Sequence, residues 1–183
     1  FIIIALSSGV GNGTTALSAI AIGKRDKLEL HYIVKNAVFL GIILGIVLPI
    51  LSPLYLEPLF RLAGASGGVL DVGMAYTQTV MYGAIFFIIN FVCNGIFNAQ
   101  GNTKPFRNYL VGGFIANLIL DPLFIFGWFG LPELGVAGVA LATVVVQFGG
   151  SVYLLYNVLH SSNFEIELFK KASLKLQTIK ALL

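Results

Sequence analysis

The sequence predicts an all-α polytopic membrane protein, and three observations support that prediction. First, 57% of the residues are hydrophobic and only 10% are charged, a balance outside that of soluble domains. Second, the chain contains a series of apolar stretches, each close to the roughly 20 residues that cross a bilayer as a helix. Third, the basic residues gather in every second connecting segment, as the positive-inside rule expects.

Five transmembrane helices are predicted, and the chain shows no regular ten-residue alternation of the kind that a membrane β-barrel requires. Because the chain opens on Phe1 and an isoleucine run rather than on Met, we expect an internal fragment that begins partway into the first helix. The predicted spans are about 1–22, 35–60, 74–98, 106–129 and 135–159.

Charge sets the predicted orientation. Ten of the eleven basic residues lie in connections on one side of the predicted membrane, and only Arg61 lies on the opposite side. We therefore expect the connections at 23–34 and 99–107 and the C-terminal tail on the cytoplasmic side of the cell inner membrane. The net charge of +3 then reflects topology rather than a nucleic-acid partner. The ten basic residues predicted on the cytoplasmic side are Lys24, Arg25, Lys27, Lys35, Lys104, Arg107, Lys170, Lys171, Lys175 and Lys180.

The chain divides into a transmembrane part, 1–160, and a tail, 161–183. In the tail, apolar residues alternate with lysines at helical spacing, which predicts an amphipathic helix on the inner membrane surface. Short outer loops are expected near 61–72 and 129–134, where glycine and proline turn the chain.

Small residues predict where helices approach one another. Gly9 and Gly13 form one spacing of four, and Gly41 and Gly45 form another. Such pairs let membrane helices pack closely, so we assign them to helix contacts rather than to a function.

The most informative residue is Asp121, which stands with Asn117 and Pro122 in an otherwise apolar, mid-membrane stretch. A carboxylate inside a bilayer costs at least about 2.5 kcal/mol on the insertion scale, so it should face the bundle interior or a water-filled cavity. Asn117, four residues earlier, shares its helix face.

Low dielectric favours the neutral carboxyl, so Asp121 is suited to exchange a proton or, when ionised, to bind Na⁺. Pro122 predicts a bend. The alternative is a purely structural pairing of Asp121 with a neighbouring helix.

The third predicted span carries polar side chains along one face. Asn90, Asn94 and Asn98 are spaced by four, and such a stripe either lines a polar cavity or hydrogen-bonds to neighbouring helices. A weaker pair, Thr143 and Gln147, follows the same spacing in the fifth span.

Catalytic chemistry has little support in the sequence. His31 and His160 are isolated and are predicted to be interfacial, and no metal-ligand spacing or nucleophile with a general base is visible. The single Cys93 can form no intrachain disulfide. We therefore predict no enzyme, no metal site of His or Cys, and no organic cofactor.

The chain resembles the multidrug and toxic compound extrusion (MATE) family over nearly its whole length. Three ordered blocks carry the resemblance: QGNTKP at 100–105, the Asn117-xxx-Asp121-Pro122 motif, and GVAGVALAT at 135–143. The stretch SSGVGNGTT at 7–15, followed by IGKRD at 22–26, is similar to the family's second helix and its cytoplasmic turn.

The resemblance implies that the five spans are helices two to six of a twelve-helix, two-lobe transporter. Such a protein exports cationic or amphipathic compounds by alternating access, coupled to H⁺ or Na⁺, and needs a second lobe that this chain lacks. By position, the residues matching the family's ion-coupling cluster are Tyr76, Asn94, Asn117, Asp121 and Thr143.

Three alternatives remain open at this point. A flippase for lipid-linked saccharides shares the helix count but has a more basic cavity than this sequence offers. A membrane-embedded enzyme would need more than one acid at depth. A non-transporting scaffold would tolerate Asp121→Leu.

Overall fold

The computed structural model describes residues 2–130, 132–162 and 164–182, which leaves Phe1, Leu131, Asn163 and Leu183 outside the description. The described part is helical and contains no strand. Its helices are α1 (Ile2–Gly23), α2 (Lys27–Leu62), α3 (Gly67–Tyr82), α4 (Ala84–Ala99), α5 (Lys104–Ile125), α6 (Val136–Leu159), α7 (Ile166–Lys171) and α8 (Leu176–Leu182), with a 3-10 turn at Trp128–Gly130.

The helix lengths and hydropathies confirm the predicted fold class. Four helices, α1, α2, α5 and α6, are long and apolar enough to cross a membrane, and the bent pair α3–α4 makes a fifth if its halves count as one span. Helix α4 lies at the centre of the bundle, where Val92, Cys93 and Ile88 are fully buried against α1, α2 and α6.

Helix α2 is longer than its predicted span. It begins at Lys27, where the side chain of Asp26 caps the helix by accepting the N–H of Glu29 at 2.9 Å. Most of the predicted 23–34 loop is therefore helical, and that prediction was wrong. At 36 residues and about 1.5 Å per residue, α2 exceeds the roughly 30 Å of hydrocarbon. One of its ends must therefore project beyond the apolar layer or the helix must tilt strongly.

Three prolines lie inside α2, yet the helix continues through them. Pro53 has no N–H to donate to the carbonyl of Pro49, one turn back. The hydroxyl of Ser52 takes that role and donates to the Pro49 carbonyl at 2.8 Å. A side chain thus satisfies a carbonyl that would otherwise be unpaired in an apolar environment.

The predicted third span is two helices. Helices α3 and α4 meet at Gly83 with a bend of 52°, and α3 begins at Gly67, inside the stretch expected to be an outer loop. A Cβ at Gly83 would lie 2.6 Å from Cγ2 of Val144 on α6. The bend therefore lets the chain pass close to α6 where a larger side chain would collide.

Helices α1 and α4 cross at a pair of glycines. A Cβ at Gly95 would lie 2.4 Å from the carbonyl oxygen of Gly11, and a Cβ at Gly11 would lie 2.9 Å from the carbonyl oxygen of Phe91. Neither glycine belongs to the pairs that the sequence predicted. The backbones therefore touch where no side chain separates them.

The predicted glycine pairs have different outcomes. Gly41 and Gly45 face α4, where Ile88 and Ile85 lie 3.1 and 2.5 Å from their ideal Cβ positions, so that contact is confirmed. Gly13 approaches Leu182 in the tail, and Gly9 has no neighbour within 4 Å in the described chain. The predicted role of Gly9 in a helix contact is thus wrong for this chain.

The tail does not form one amphipathic helix. It forms two short helices, α7 and α8, joined by an extended segment at 172–175. Helix α7 packs on α2, and α8 packs on both α1 and α2. Ala172 and Leu182 are buried, because the tail covers the ends of these two helices.

Buried polar groups of α2 hold the tail. Asn36, fully buried, donates to the carbonyl of Ser173 at 3.3 Å and accepts the N–H of Lys175 at 2.9 Å. Lys35 donates to the carbonyl of Ala172 at 2.7 Å. Since α2 binds main-chain atoms here, docking depends on the backbone path of the tail more than on its side chains.

His31 is a second attachment point for the tail, and its predicted position at the membrane interface stays a prediction. The imidazole is fully buried, its Nε2 accepts the N–H of Glu165 at 2.8 Å, and its ring lies 5.0 Å from that of Phe164. Lys27 donates a 2.6 Å hydrogen bond to the Glu165 carboxylate, and this bond lowers the pKa of that carboxyl. The stabilisation is present at neutral pH and is lost as pH falls through the lowered pKa.

We expect Asn36→Ala to loosen the tail. The change leaves the Ser173 carbonyl and the Lys175 N–H without partners, and unpaired buried groups cost enough to raise the open population at least about fivefold. Trypsin applied to inside-out vesicles that carry the full-length protein should then cleave after Lys171 correspondingly faster. Glu165→Gln removes only the exposed ion pair and should leave the rate near that of wild type. Equal cleavage of Asn36→Ala and wild type would contradict this docking.

Candidate functional site

Helix α5 carries the two most informative polar residues. Asn117 and Asp121 are half-buried and lie four residues apart, on one face of the helix. Helix α5 ends at Ile125 rather than near 129, so Asp121 is four residues, or about 6 Å, from its end. It is therefore closer to the end of its helix than the predicted mid-membrane position implied.

Both residues present a buried oxygen without a partner. Within the described residues, Oδ1 of Asn117 and Oδ1 of Asp121 are buried and accept no hydrogen bond. Buried oxygens in proteins are nearly always paired, and a carboxylate is the costliest group to leave unpaired. These two oxygens are suited to take a proton or a cation such as Na⁺, or a donor from outside this chain.

Pro122 follows directly, and α5 runs through it without interruption. Its carbonyl accepts the N–H of Phe126 at 3.1 Å, which closes the end of the helix. The bend expected at Pro122 stays a prediction, whereas the pronounced bend recorded in the spans lies at Gly83.

The other three predicted site residues lie on three other helices. Tyr76 is on α3, Asn94 on α4 and Thr143 on α6, and all three are half-buried. The Thr143 hydroxyl donates within its own helix, to the carbonyl of Val139 at 3.0 Å. In the part of the chain that is described, no hydrogen bond joins any two of the five site residues.

Backbone packing brings α6 against the end of α5. A Cβ at Gly138 would lie 2.6 Å from the carbonyl oxygen of Phe124. The chain between the helices is closed by hydrogen bonds from Leu134 and Gly135 to the carbonyls of Phe124 and Ile125, at 3.1 and 3.3 Å. The Asp121 end of α5 therefore lies against the start of α6, about two turns before Thr143.

The asparagine stripe on α4 divides along its length. Asn90 is buried and hydrogen-bonds to α5 and α6, Asn94 is half-buried, and Asn98 is exposed. The Asn90 amide donates to Oε1 of Gln147 at 2.7 Å, and that oxygen also accepts the hydroxyl of Tyr109 at 2.6 Å. For Asn90, the helix-linking interpretation holds, and Asn94 remains a candidate cavity residue.

Several polar residues of structural consequence were not identified from the sequence. Tyr109 and Ser151 join the Asn90 contacts, and Asn36 and Lys35 hold the tail. Asn36 carried a weak signal, since an amide stands at the start of an apolar run. Tyr109 carried no such signal, because a tyrosine near the end of a predicted span is also typical of the membrane interface.

The electrostatics of this region are simple. Asp121 is the one acidic residue of α4, α5 and α6, and their only Lys and Arg residues, Lys104 and Arg107, lie at the far end of α5. No group of three or more His, Cys, Asp or Glu side chains in the described chain is placed to hold a metal. The arrangement supports reversible binding of a proton or a monovalent cation at one carboxylate.

Comparison with known proteins gives a consistent set of similarities. The family model MatE matches residues 1–123. Similar proteins include the probable multidrug resistance protein YoeA of Bacillus subtilis, 30% identical over 79% of this chain and 31% of the relative. Another is the FAD transporter of Shewanella oneidensis, 31% identical over 91% of this chain and 38% of the relative.

The fold is similar to solved transporter structures. One is the inward-facing conformation of a multidrug resistance MATE family transporter of the MOP superfamily, with a TM-score of 0.86 and 29% identity over 98% of this chain and 40% of that one. The chain thus spans about a third of the length of the curated relatives that it matches.

Proposed function

Because the chain belongs to the MatE family of transporters, we propose that it forms part of the N-terminal lobe of an exporter of cationic or amphipathic compounds that is coupled to H⁺ or Na⁺. The five spans then correspond to helices two to six of a twelve-helix protein, and the tail begins the connection to a second lobe. Transport by alternating access needs both lobes, so the second lobe is a required partner.

The observation that carries the proposal is that Oδ1 of Asp121 and Oδ1 of Asn117, on one face of α5, are buried and have no partner among the described residues. Ionisable groups within membrane helices are costly and are used for ion pathways and proton relays. Asp121 binds the coupling ion, and Asn117, on the same helix face, offers its amide oxygen to the bound cation or to the protonated carboxyl.

Charge neutralisation at Asp121 then changes how α5 packs. An ionised carboxylate draws its helix toward water, whereas a neutral one tolerates the apolar interior. Pro122, the residue after Asp121, has no N–H to donate to the carbonyl of Leu118 one turn back, so the change is expressed at the junction of α5 with α6. Substrate release follows from that movement.

Membrane orientation follows from the placement of charge. Lys27 contacts the tail directly, and Gln100 and Asn102, beside Lys104, line one cavity with His160 and Ser161. The basic segments thus lie at a single end of the bundle. By the positive-inside rule, that end faces the cytoplasm, and the helices cross the cell inner membrane.

Substrate charge separates the candidate functions. The absence of Lys and Arg from the inner parts of α3 to α6 in the described chain favours a cationic substrate over the anionic saccharide lipids of a flippase. The similarity to an FAD transporter makes an anionic flavin the second candidate, which the same assay can separate.

The test is efflux of ethidium from cells that express the full-length gene, with the proton and the sodium gradients collapsed in turn. Ethidium efflux that is lost with one gradient supports the proposal and names the coupling ion. Efflux of FAD but not of ethidium would favour the flavin, and a cell that exports neither would favour the flippase.

A further inference from the structure

Helix α5 has few buried side chains among the described residues of this chain. Among the helices of the bundle it packs mainly on α6, with a smaller contact to α4. Pro105 is its one fully buried residue among those described. The contact with Gly138 of α6 fixes the end of α5 near Phe124, and contacts nearer the start of the helix also bear on its rotation and depth.

One polar cluster links α5 to the centre of the bundle. It consists of Asn90 on α4, Tyr109 on α5, and Gln147 and Ser151 on α6, and we call it the Tyr109 cluster. Tyr109 donates to Oε1 of Gln147 at 2.6 Å, Asn90 donates to the same oxygen at 2.7 Å, and Ser151 donates to Oδ1 of Asn90 at 2.9 Å. Asn90 and Ser151 are buried, so these hydrogen bonds form away from solvent.

The ring of Tyr109 is held as firmly as its hydroxyl. A Cβ at Gly150 would lie 2.1 Å from Cε2 of the ring, so the tyrosine occupies the space that a side chain on α6 would fill. Of the α5 side chains, Tyr109 alone makes a hydrogen bond to another helix in the described part of the chain. Rotation or sliding of α5 must therefore break this contact.

We propose that Tyr109 is a positioning residue for ion coupling, through its hydroxyl bond to Gln147. It lies eight residues before Asn117 and twelve before Asp121, about 12 and 18 Å along the same rigid helix. By fixing one end of α5, it sets the rotation and depth at which Asn117 and Asp121 meet the ion. This role rests on the proposed function.

Few other groups can produce a pH effect at this site. Helices α4 and α6 carry no acidic or basic residue, and their titratable groups are Cys93, Tyr153 and Tyr156. The next carboxyl along the chain is Glu133, which is exposed in the loop after α5. Among the described residues of this chain, Asp121 is therefore the carboxyl to which a change in the pH profile is assigned, and Glu133→Gln controls for the loop.

Tyr109→Phe keeps the ring on Gly150 and removes only the hydroxyl. In the full-length transporter at matched abundance, we expect the ion concentration for half-maximal efflux to shift about threefold, or roughly half a pH unit for a proton, the usual scale of one hydrogen bond between membrane helices. Tyr156→Phe, on the exposed face of α6 and outside both the cluster and the groove between α5 and α6, should leave the profile unchanged.

Gly150→Ala provides a second variant that keeps the hydroxyl. Its Cβ displaces the ring and with it the hydroxyl, so it should shift the profile at least as far as Tyr109→Phe does. A merely structural role would lower the amount of active transporter without moving its profile. Profiles of both variants that coincide with wild type would overturn the inference.

Failure of the positioning role of Tyr109 can be distinguished from failure of the proposed function. If Asp121→Asn abolishes coupling but Tyr109→Phe and Gly150→Ala leave the profile unmoved, only the positioning role fails. If Asp121→Asn transports normally, the proposed function fails whatever the Tyr109 variants do.

Discussion

Asp121→Asn is expected to abolish gradient-driven efflux by the full-length transporter, with a loss of at least about tenfold at matched membrane abundance. The amide has nearly the shape of the carboxyl but can neither carry a proton at neutral pH nor supply a charge to Na⁺. Since Oδ1 of Asp121 is buried and unpartnered in the described chain, the change breaks no recorded hydrogen bond at that atom. Ethidium efflux with an imposed gradient measures the effect.

Two further substitutions give this result its meaning. Glu133→Gln removes an exposed carboxyl from the adjoining loop and should leave efflux intact. Asp121→Leu tests the scaffold alternative, which requires that an apolar residue be tolerated there. Normal ion-coupled efflux by Asp121→Asn would move Asp121 to a structural role and remove the basis of the proposed mechanism.

Gly95→Ala is expected to destabilise the bundle. Its Cβ would lie 2.4 Å from the carbonyl oxygen of Gly11 and 3.0 Å from Cβ of Thr14, so α1 and α4 must separate. Overpacking of this kind costs about 1–3 kcal/mol, whereas the gain in helix propensity from Gly to Ala is at most about 1 kcal/mol. The Tm of the purified full-length protein in detergent should fall by several degrees.

Gly9→Ala is the matched control. It also replaces a helix glycine by alanine, but on α1 rather than α4, at a position with no neighbour within 4 Å in the described chain. Only the gain in helix propensity remains there, so its Tm should equal or exceed that of wild type. If the two variants melt together, the close crossing at Gly95 does not contribute to stability.

The transmembrane architecture was predictable because a bilayer imposes one dominant requirement. Apolar runs of helical length mark α1, α5 and α6, and basic residues mark the ends that meet water. The 52° bend at Gly83 was not predictable from hydropathy, since the sequence on both sides is equally apolar. At the bend the chain approaches Val144, which is 61 residues further along the chain (144 − 83).

The tail shows a different limit. Its amphipathic spacing predicted one helix, whereas the tail forms two short ones, Ile166–Lys171 and Leu176–Leu182. The same spacing also suits both a membrane surface and a protein surface. The docking is decided by Asn36 and His31, whose partners are backbone atoms. Because every residue has the same backbone groups, no pattern in the tail sequence identifies which of them will be bound.

The candidate site was predictable in part. Asp121 and Asn117 were singled out because a polar group in an apolar run is costly, and in the structure Oδ1 of each is buried. Their functional roles, and those of Tyr76, Asn94 and Thr143, stay predictions. The Tyr109 cluster was missed because its members lie on three helices and join only through the fold.

The closed connection between α5 and α6 has a consequence for how the chain is inserted during synthesis. On its own, α5 would bring Asn117 and Asp121 into lipid with little apolar packing to offset them. The hydrogen bonds from Leu134 and Gly135 back to the end of α5, together with the contact at Gly138, join it to an uncharged helix. We therefore expect the two to leave the translocon as a hairpin, so that α5 waits at the protein-conducting channel until α6 has been made.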